Sequence, residues 1–118
     1  MKIEKFEDLK VWKESMRLSA SIYKQFKTLK DYGFRDQIQR ASVSVPSNIA
    51  EGYDRNSNKE FIQYLYISKG SAGELRTQLY LSIELKLITK VKGLELLEQS
   101  KKVSAMLYNL IKIRKEKF

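Results

Sequence analysis

The only proline of this 118-residue chain, Pro46, stands inside a stretch that otherwise reads as helix, Arg35 to Arg55 (RDQIQRASVSVPSNIAEGYDR). A proline within a helix removes one backbone donor and crowds the carbonyl four residues back, here that of Ser42, at roughly 3 kcal/mol. Such a helix persists only where the packing around it offsets that loss. On a helical wheel Phe34, Ile38, Val45 and Ile49 share one face, and Gln37, Arg40, Ser44, Asn48, Glu51 and Arg55 form a polar stripe beside it. Val43 and Ala50 fall on the far side, close to Pro46. The apolar arc therefore exceeds the roughly 100° that a surface helix needs. This helix is expected to be covered on more than one side.

The remaining chain follows helical periodicity from end to end. After a charged lead, Met1 to Glu7, Asp8 is an expected N-cap for a first helix reaching about Leu29. Leu9, Trp12, Met16, Ser19, Tyr23 and Phe26 recur at steps of three and four and predict its buried seam. Lys10, Lys13, Arg17, Lys24 and Lys27 repeat that spacing and predict a basic stripe beside it. Gly33 marks the break before the proline-bearing helix, as a helix C′ or turn residue. Asp54 to Lys59 is polar turn sequence, and Ser57 and Glu60 then form a capping-box pattern. Phe61, Leu65, Ser68, Ala72, Leu75, Leu79 and Ile83 predict the seam of a third helix, with Tyr66, Ile67, Leu81 and Leu85 on other faces. Gly70 and Gly73 inside it each cost about 1 kcal/mol relative to Ala and imply close approach by another backbone. Thr89 is an expected cap for a fourth helix. Leu96, Val103, Leu107 and Leu110 make its stripe, with Leu97, Ile111 and Ile113 beside it and a basic tail at Lys112 to Lys117. Four helices with short connections predict an all-α, antiparallel up-down bundle forming one domain over residues 1–118.

The runs QIQRASVSVPSNIAEGYDR and EFIQYLYISKGSAGEL, with the opening FEDLKVWKESMRLSASIY, resemble a known family. It comprises the small four-helix-bundle proteins first noticed in intervening sequences of bacterial 23S ribosomal RNA genes. The shared motif is R-A-x-x-S-x-P-x-N-I-A-E-G, here carrying Arg40, Ser44, Pro46, Asn48, Glu51 and Gly52. The resemblance implies an antiparallel four-helix bundle, ring-like homopentamers and no established enzymatic activity. It also implies distant kinship to the accessory protein of diversity-generating retroelements, a basic bundle that binds nucleic acid and a reverse transcriptase.

Residue chemistry narrows the function. The chain has no histidine and no cysteine, so disulfides and thiolate or imidazole metal sites are excluded and a reducing cytoplasm is the expected setting. Ser44, beside Arg40, Asn48 and Glu51, has no histidine or cysteine to activate it as a nucleophile, so the polar stripe is expected to be structural. Neither catalysis, a metal nor a cofactor is implied. No run reaches membrane-span length. The 23 Lys and Arg against 14 Asp and Glu, a formal charge of +9, favour a polyanionic partner. Lys10, Lys13, Arg17, Lys24 and Lys27, with Lys101, Lys102, Lys112, Arg114 and Lys115, are the candidate nucleic-acid contacts. Trp12, Tyr23 and Phe26 fit a core better than a stacking platform. The wide apolar arcs on the second and third helices point to self-association, because a helix in a simple bundle buries one stripe. Two readings follow: an oligomeric RNA-binding accessory protein, or an assembly module for protein partners whose charge serves solubility.

Overall fold

The computed structural model describes residues 2–118, so Met1, the first residue of the charged lead, lies outside the described residues. A 3-10 turn, Phe6–Asp8, precedes four helices: α1 (Lys10–Phe26), α2 (Tyr32–Tyr53), α3 (Asn58–Glu84) and α4 (Lys90–Lys117). They pack in cyclic order, α1 on α2, α2 on α3, α3 on α4 and α4 back on α1, with no close backbone approach between diagonal helices. Facing pairs give the direction. Ser19 meets Ser42 and Phe26 meets Phe34, while Ser44 meets Ser71 and Gly52 meets Tyr64. Asn58 meets Arg114 and Ile83 meets Gly93, and Glu14 meets Lys102 while Lys24 and Lys92 line one groove, so each neighbour runs antiparallel. The molecule measures 44 × 22 × 21 Å, and the long dimension matches a 28-residue α4 at about 1.5 Å per residue. Among the described residues no helix is long and apolar enough to cross a membrane.

Pro46 is accommodated without interrupting α2. The helix is continuous through it, with Val45, Pro46 and Ile49 buried. The carbonyl of Val45, on the peptide that Pro46 closes, accepts the Ser68 hydroxyl of α3 at 2.8 Å. Ser42 Oγ reaches Ser19 of α1 at 3.1 Å and the Gln39 carbonyl at 2.7 Å. Buried Ser15, Ser82 and Ser100 likewise donate to carbonyls within their own helices. Small hydroxyl residues thus let the helices approach closely while keeping every buried hydroxyl partnered.

Local signals held in some places and failed in others. Ser57 and Thr89 cap α3 and α4 by accepting the Glu60 and Lys92 N–H. Glu60 does not complete the capping box; its carboxylate takes the Ser57 hydroxyl instead. Asp8 is not the cap of α1. It closes the 3-10 turn by accepting from the Glu4 and Lys5 N–H, and Leu9 occupies the N-cap. α1 ends at Phe26, not Leu29, and Gly33 lies inside α2, which Asp31 caps. The α3 seam is buried as expected, apart from the half-buried Ile83. The α1 seam is buried only in part: Leu9, Ser19 and Phe26 are buried and Trp12 half-buried, but Met16 and Tyr23 are exposed, and Val11, Ser15, Leu18 and Ile22 complete the core. Gly70 and Gly73 meet no other backbone within the chain: a Cβ on either has nothing within 4 Å. The close approaches are at Gly52, under Tyr64 and Phe61, and at Gly93, under Ile83.

Candidate nucleic-acid interface

The helices divide the charge unequally. α1 carries four basic residues and one acidic, and α4 eight and three. α2 has two of each and α3 three of each, so both are neutral. Because α1 and α4 are neighbours, the excess positive charge collects on one half of the bundle.

On α1 Lys10, Arg17 and Lys24 are exposed and Lys13 half-buried, and Lys27 is exposed at its C-cap, all pointing away from the Val11–Ser15–Leu18–Ile22 core stripe. Arg17 pairs with Glu14 at 2.7 Å, and Lys102 of α4 approaches the same carboxylate at 3.8 Å. Among the described residues Lys10, Lys13, Lys24 and Lys27 form no ion pair. They are the cations with least to give up on meeting phosphate.

The α4 residues do not form one patch with them. Lys101 and Lys102 are successive, about 100° apart on the helix; Lys102 approaches Glu14 of α1, and Lys101 pairs with Glu98 of its own helix at 3.9 Å. Lys112 is exposed. Lys115 donates to the Tyr66 hydroxyl of α3. Arg114 is a clasp between helices. Its Nε donates to Asn58 Oδ1 at 2.7 Å, Asn58 Nδ2 donates back to the Arg114 carbonyl at 2.9 Å, and the guanidinium lies over Phe61 and Phe118. Burial pushes the Arg114 pKa down, partly opposed by Tyr53.

The motif residues of α2 are spread along its α3-facing edge and around Pro46. Asn48 Nδ2 donates to the Ser44 carbonyl and hydroxyl, and Ser44 Oγ pairs with Ser71 Oγ at 2.8 Å. The Ser44 hydroxyl is thus engaged across the helix interface. Glu51 pairs with Arg55 at 3.2 Å, and Arg55 also donates to Tyr64 Oη, which holds its pKa above the ordinary value. Gly52 is buried under Tyr64. Arg40 is exposed on the outer ridge of α2 and borders the hollows on both sides of it.

One residue that sequence reasoning assigned to the core stands at the interface instead. Tyr23 is 45% exposed. It separates an apolar hollow of about 470 Å³, walled by Trp12, Met16, Val43 and Pro46, from a basic one of about 490 Å³ lined by Lys24, Lys27, Arg35 and Gln39. The signal available in sequence was its neighbour: Tyr23 adjoins Lys24 and falls close to the basic stripe.

A model of one protein family, described as 23S rRNA-intervening sequence protein, matches residues 7–109. The chain belongs to that family. The match covers α1 to α3 and most of α4 and stops short of Lys112, Arg114 and Lys115. Among solved structures, a protein of unknown function from the S23 ribosomal protein family of Bacteroides thetaiotaomicron is similar to this chain. It shares 26% identity over 86% of this chain and 95% of its own, with a TM-score of 0.81. No curated protein matches. Neither description names a reaction.

Proposed function

We propose that this protein is a non-enzymatic, self-associating bundle that binds RNA through the basic stripe of α1, in the field of the excess positive charge on the adjacent α4. The observation that carries the reading is the segregation of charge: the excess lies on two adjacent helices while α2 and α3 are neutral. A charge serving solubility alone has no need of one side, whereas a polyanion is attracted to a one-sided field. RNA as the polyanion is the expectation that the family resemblance carries. The engaged Ser44 hydroxyl and the absence of histidine and cysteine speak against hydrolytic chemistry on the polar stripe.

Self-association belongs to the other half of the molecule. Tyr66, Gly70, Gly73, Thr77 and Leu81 form an outward stripe of α3 without a charged residue, and Tyr66 and Leu81 are about half exposed. With nothing near Gly70 or Gly73 inside the chain, the space above them suits a second copy, in a ring as the family resemblance implies. Gly70→Leu with Gly73→Leu should then weaken association, read by sedimentation equilibrium. A parent protein monomeric at micromolar concentration ends the ring reading.

RNA binding is tested by a salt titration. Replacing Lys10, Lys13 and Lys24 by Gln should leave melting nearly unchanged. It should flatten the slope of log affinity against log salt by about 2 units for single strands or about 3 for duplex. RNA affinity that ignores salt, or its absence at low salt, favours the alternative of an adaptor for protein partners.

A further inference from the structure

We infer that Tyr23 is a stacking platform for an unpaired base, and that the RNA bound by the basic face is single-stranded at that point. The inference rests on the RNA reading above and specifies its ligand. Tyr23 is the exposed aromatic that stands among the unpaired α1 cations. Its exposed ring borders the hollow that Lys24 and Lys27 line from α1 and Gln39 and Arg35 from α2. Arg35 is held by Asp36 at 3.2 Å and lies over the Tyr32 ring at 4.8 Å, which leaves Lys24 and Lys27 as the free cations there.

The chemistry of that hollow matches a nucleotide better than a bare phosphate. An aromatic face adds stacking energy for any base, and lysines on flexible stems neutralise the flanking phosphates without fixed geometry. The Gln39 amide offers both a donor and acceptors to a base edge. On its other side Tyr23 shares the wall of the apolar hollow with Met16 and Val43. A duplex, whose bases are stacked and paired, reaches none of these except the lysines.

The test uses the full chain with a short fluorescein-labelled oligouridine and a duplex RNA of equal length, at matched salt. The parent should prefer the single strand. Tyr23→Leu, which keeps apolar bulk but removes the aromatic face, should weaken oligouridine binding roughly tenfold or more and leave duplex affinity unchanged. Tyr23→Phe should bind like the parent. Lys10→Gln, about 20 Å along α1, should lower affinity for both RNAs and leave the preference intact. Uridine monophosphate at equal nucleotide concentration should not displace the oligomer. Equal or better duplex binding, a Tyr23→Leu protein indistinguishable from the parent, or displacement by the mononucleotide overturns the stacking assignment alone. Failure of the parent to bind either RNA at low salt ends the RNA reading as well.

Discussion

Gly52 and Gly70 are both helical glycines, and the structure assigns them opposite responses to alanine. A Cβ on Gly52 overlaps the Cβ of Tyr64 and lies 3.2 Å from Phe61 Cδ1. The Tyr64 Cβ is fixed to the α3 backbone and cannot swing aside, so relief requires α2 and α3 to separate at that end. Overpacking of this kind costs about 1–3 kcal/mol, against at most about 1 kcal/mol gained from alanine's helix propensity. Gly52→Ala should therefore lose about 1–2 kcal/mol, or about 5 °C in Tm per kcal/mol at this size. A Cβ at Gly70 has nothing within 4 Å, so Gly70→Ala should gain up to about 1 kcal/mol. Guanidinium unfolding of both variants, in dilute protein to suppress association, reads the difference. A Gly52→Ala protein as stable as the parent, or a dilute Gly70→Ala protein less stable than it, refutes the geometry behind both numbers.

Lys86 holds a left-handed backbone with φ 58° at the end of α3, where Leu87 N–H returns to the Ser82 carbonyl and Lys86 N–H to Ile83. Lys86→Gly should raise stability by about 0.5–1 kcal/mol in urea titrations. Arg114→Ala should cost about 1–2 kcal/mol by unpairing Asn58, and Arg114→Lys should restore little, since an ammonium neither stacks nor forks as a guanidinium does. Backbone hydrogen bonds from Glu4 and then Lys5 hold the Asp8 carboxyl below its usual value. That help to the N-terminal turn is complete above the ordinary aspartate pKa of about 3.9 and disappears as pH falls through the lowered one. Asp8→Asn should abolish this pH dependence in amide chemical shifts of residues 4–8.

Seams of uniform, purely apolar residues were legible in the sequence. Phe61, Leu65, Ala72, Leu75 and Leu79 carry no polar atoms and have one sensible destination. The α1 seam was legible at Leu9, Ser19 and Phe26 and misled at Trp12, Met16 and Tyr23, where the core selected the slimmer Val11, Ser15, Leu18 and Ile22. In a bundle knitted by small hydroxyl residues, a bulky amphipathic side chain is displaced to the rim. Glycine was misread for a related reason. Periodicity cannot say which of four faces a neighbour occupies, so Gly70 and Gly73 looked like contact points while Gly52 and Gly93 make the contacts. The basic stripe of α1 was legible because lysine spacing needs only the helix. That Arg114 is clasped depends on Asn58, 56 residues away, which no local pattern reveals.

The placement of the positive charge also bears on the order in which the bundle closes. α2 and α3, neutral and sharing the longest helix-to-helix contact, are joined by a short turn and meet without repulsion. α1 and α4, the first and last helices, share the shortest contact among the four and both carry positive excess. Their docking is the step that unscreened charge opposes. At low ionic strength amide protons of α1 should exchange with solvent through local opening, ahead of those in α2 and α3. A polyanion spanning the two helices would act as their counterion and slow that exchange, so occupancy of the basic face would be recorded as the kinetic protection of α1.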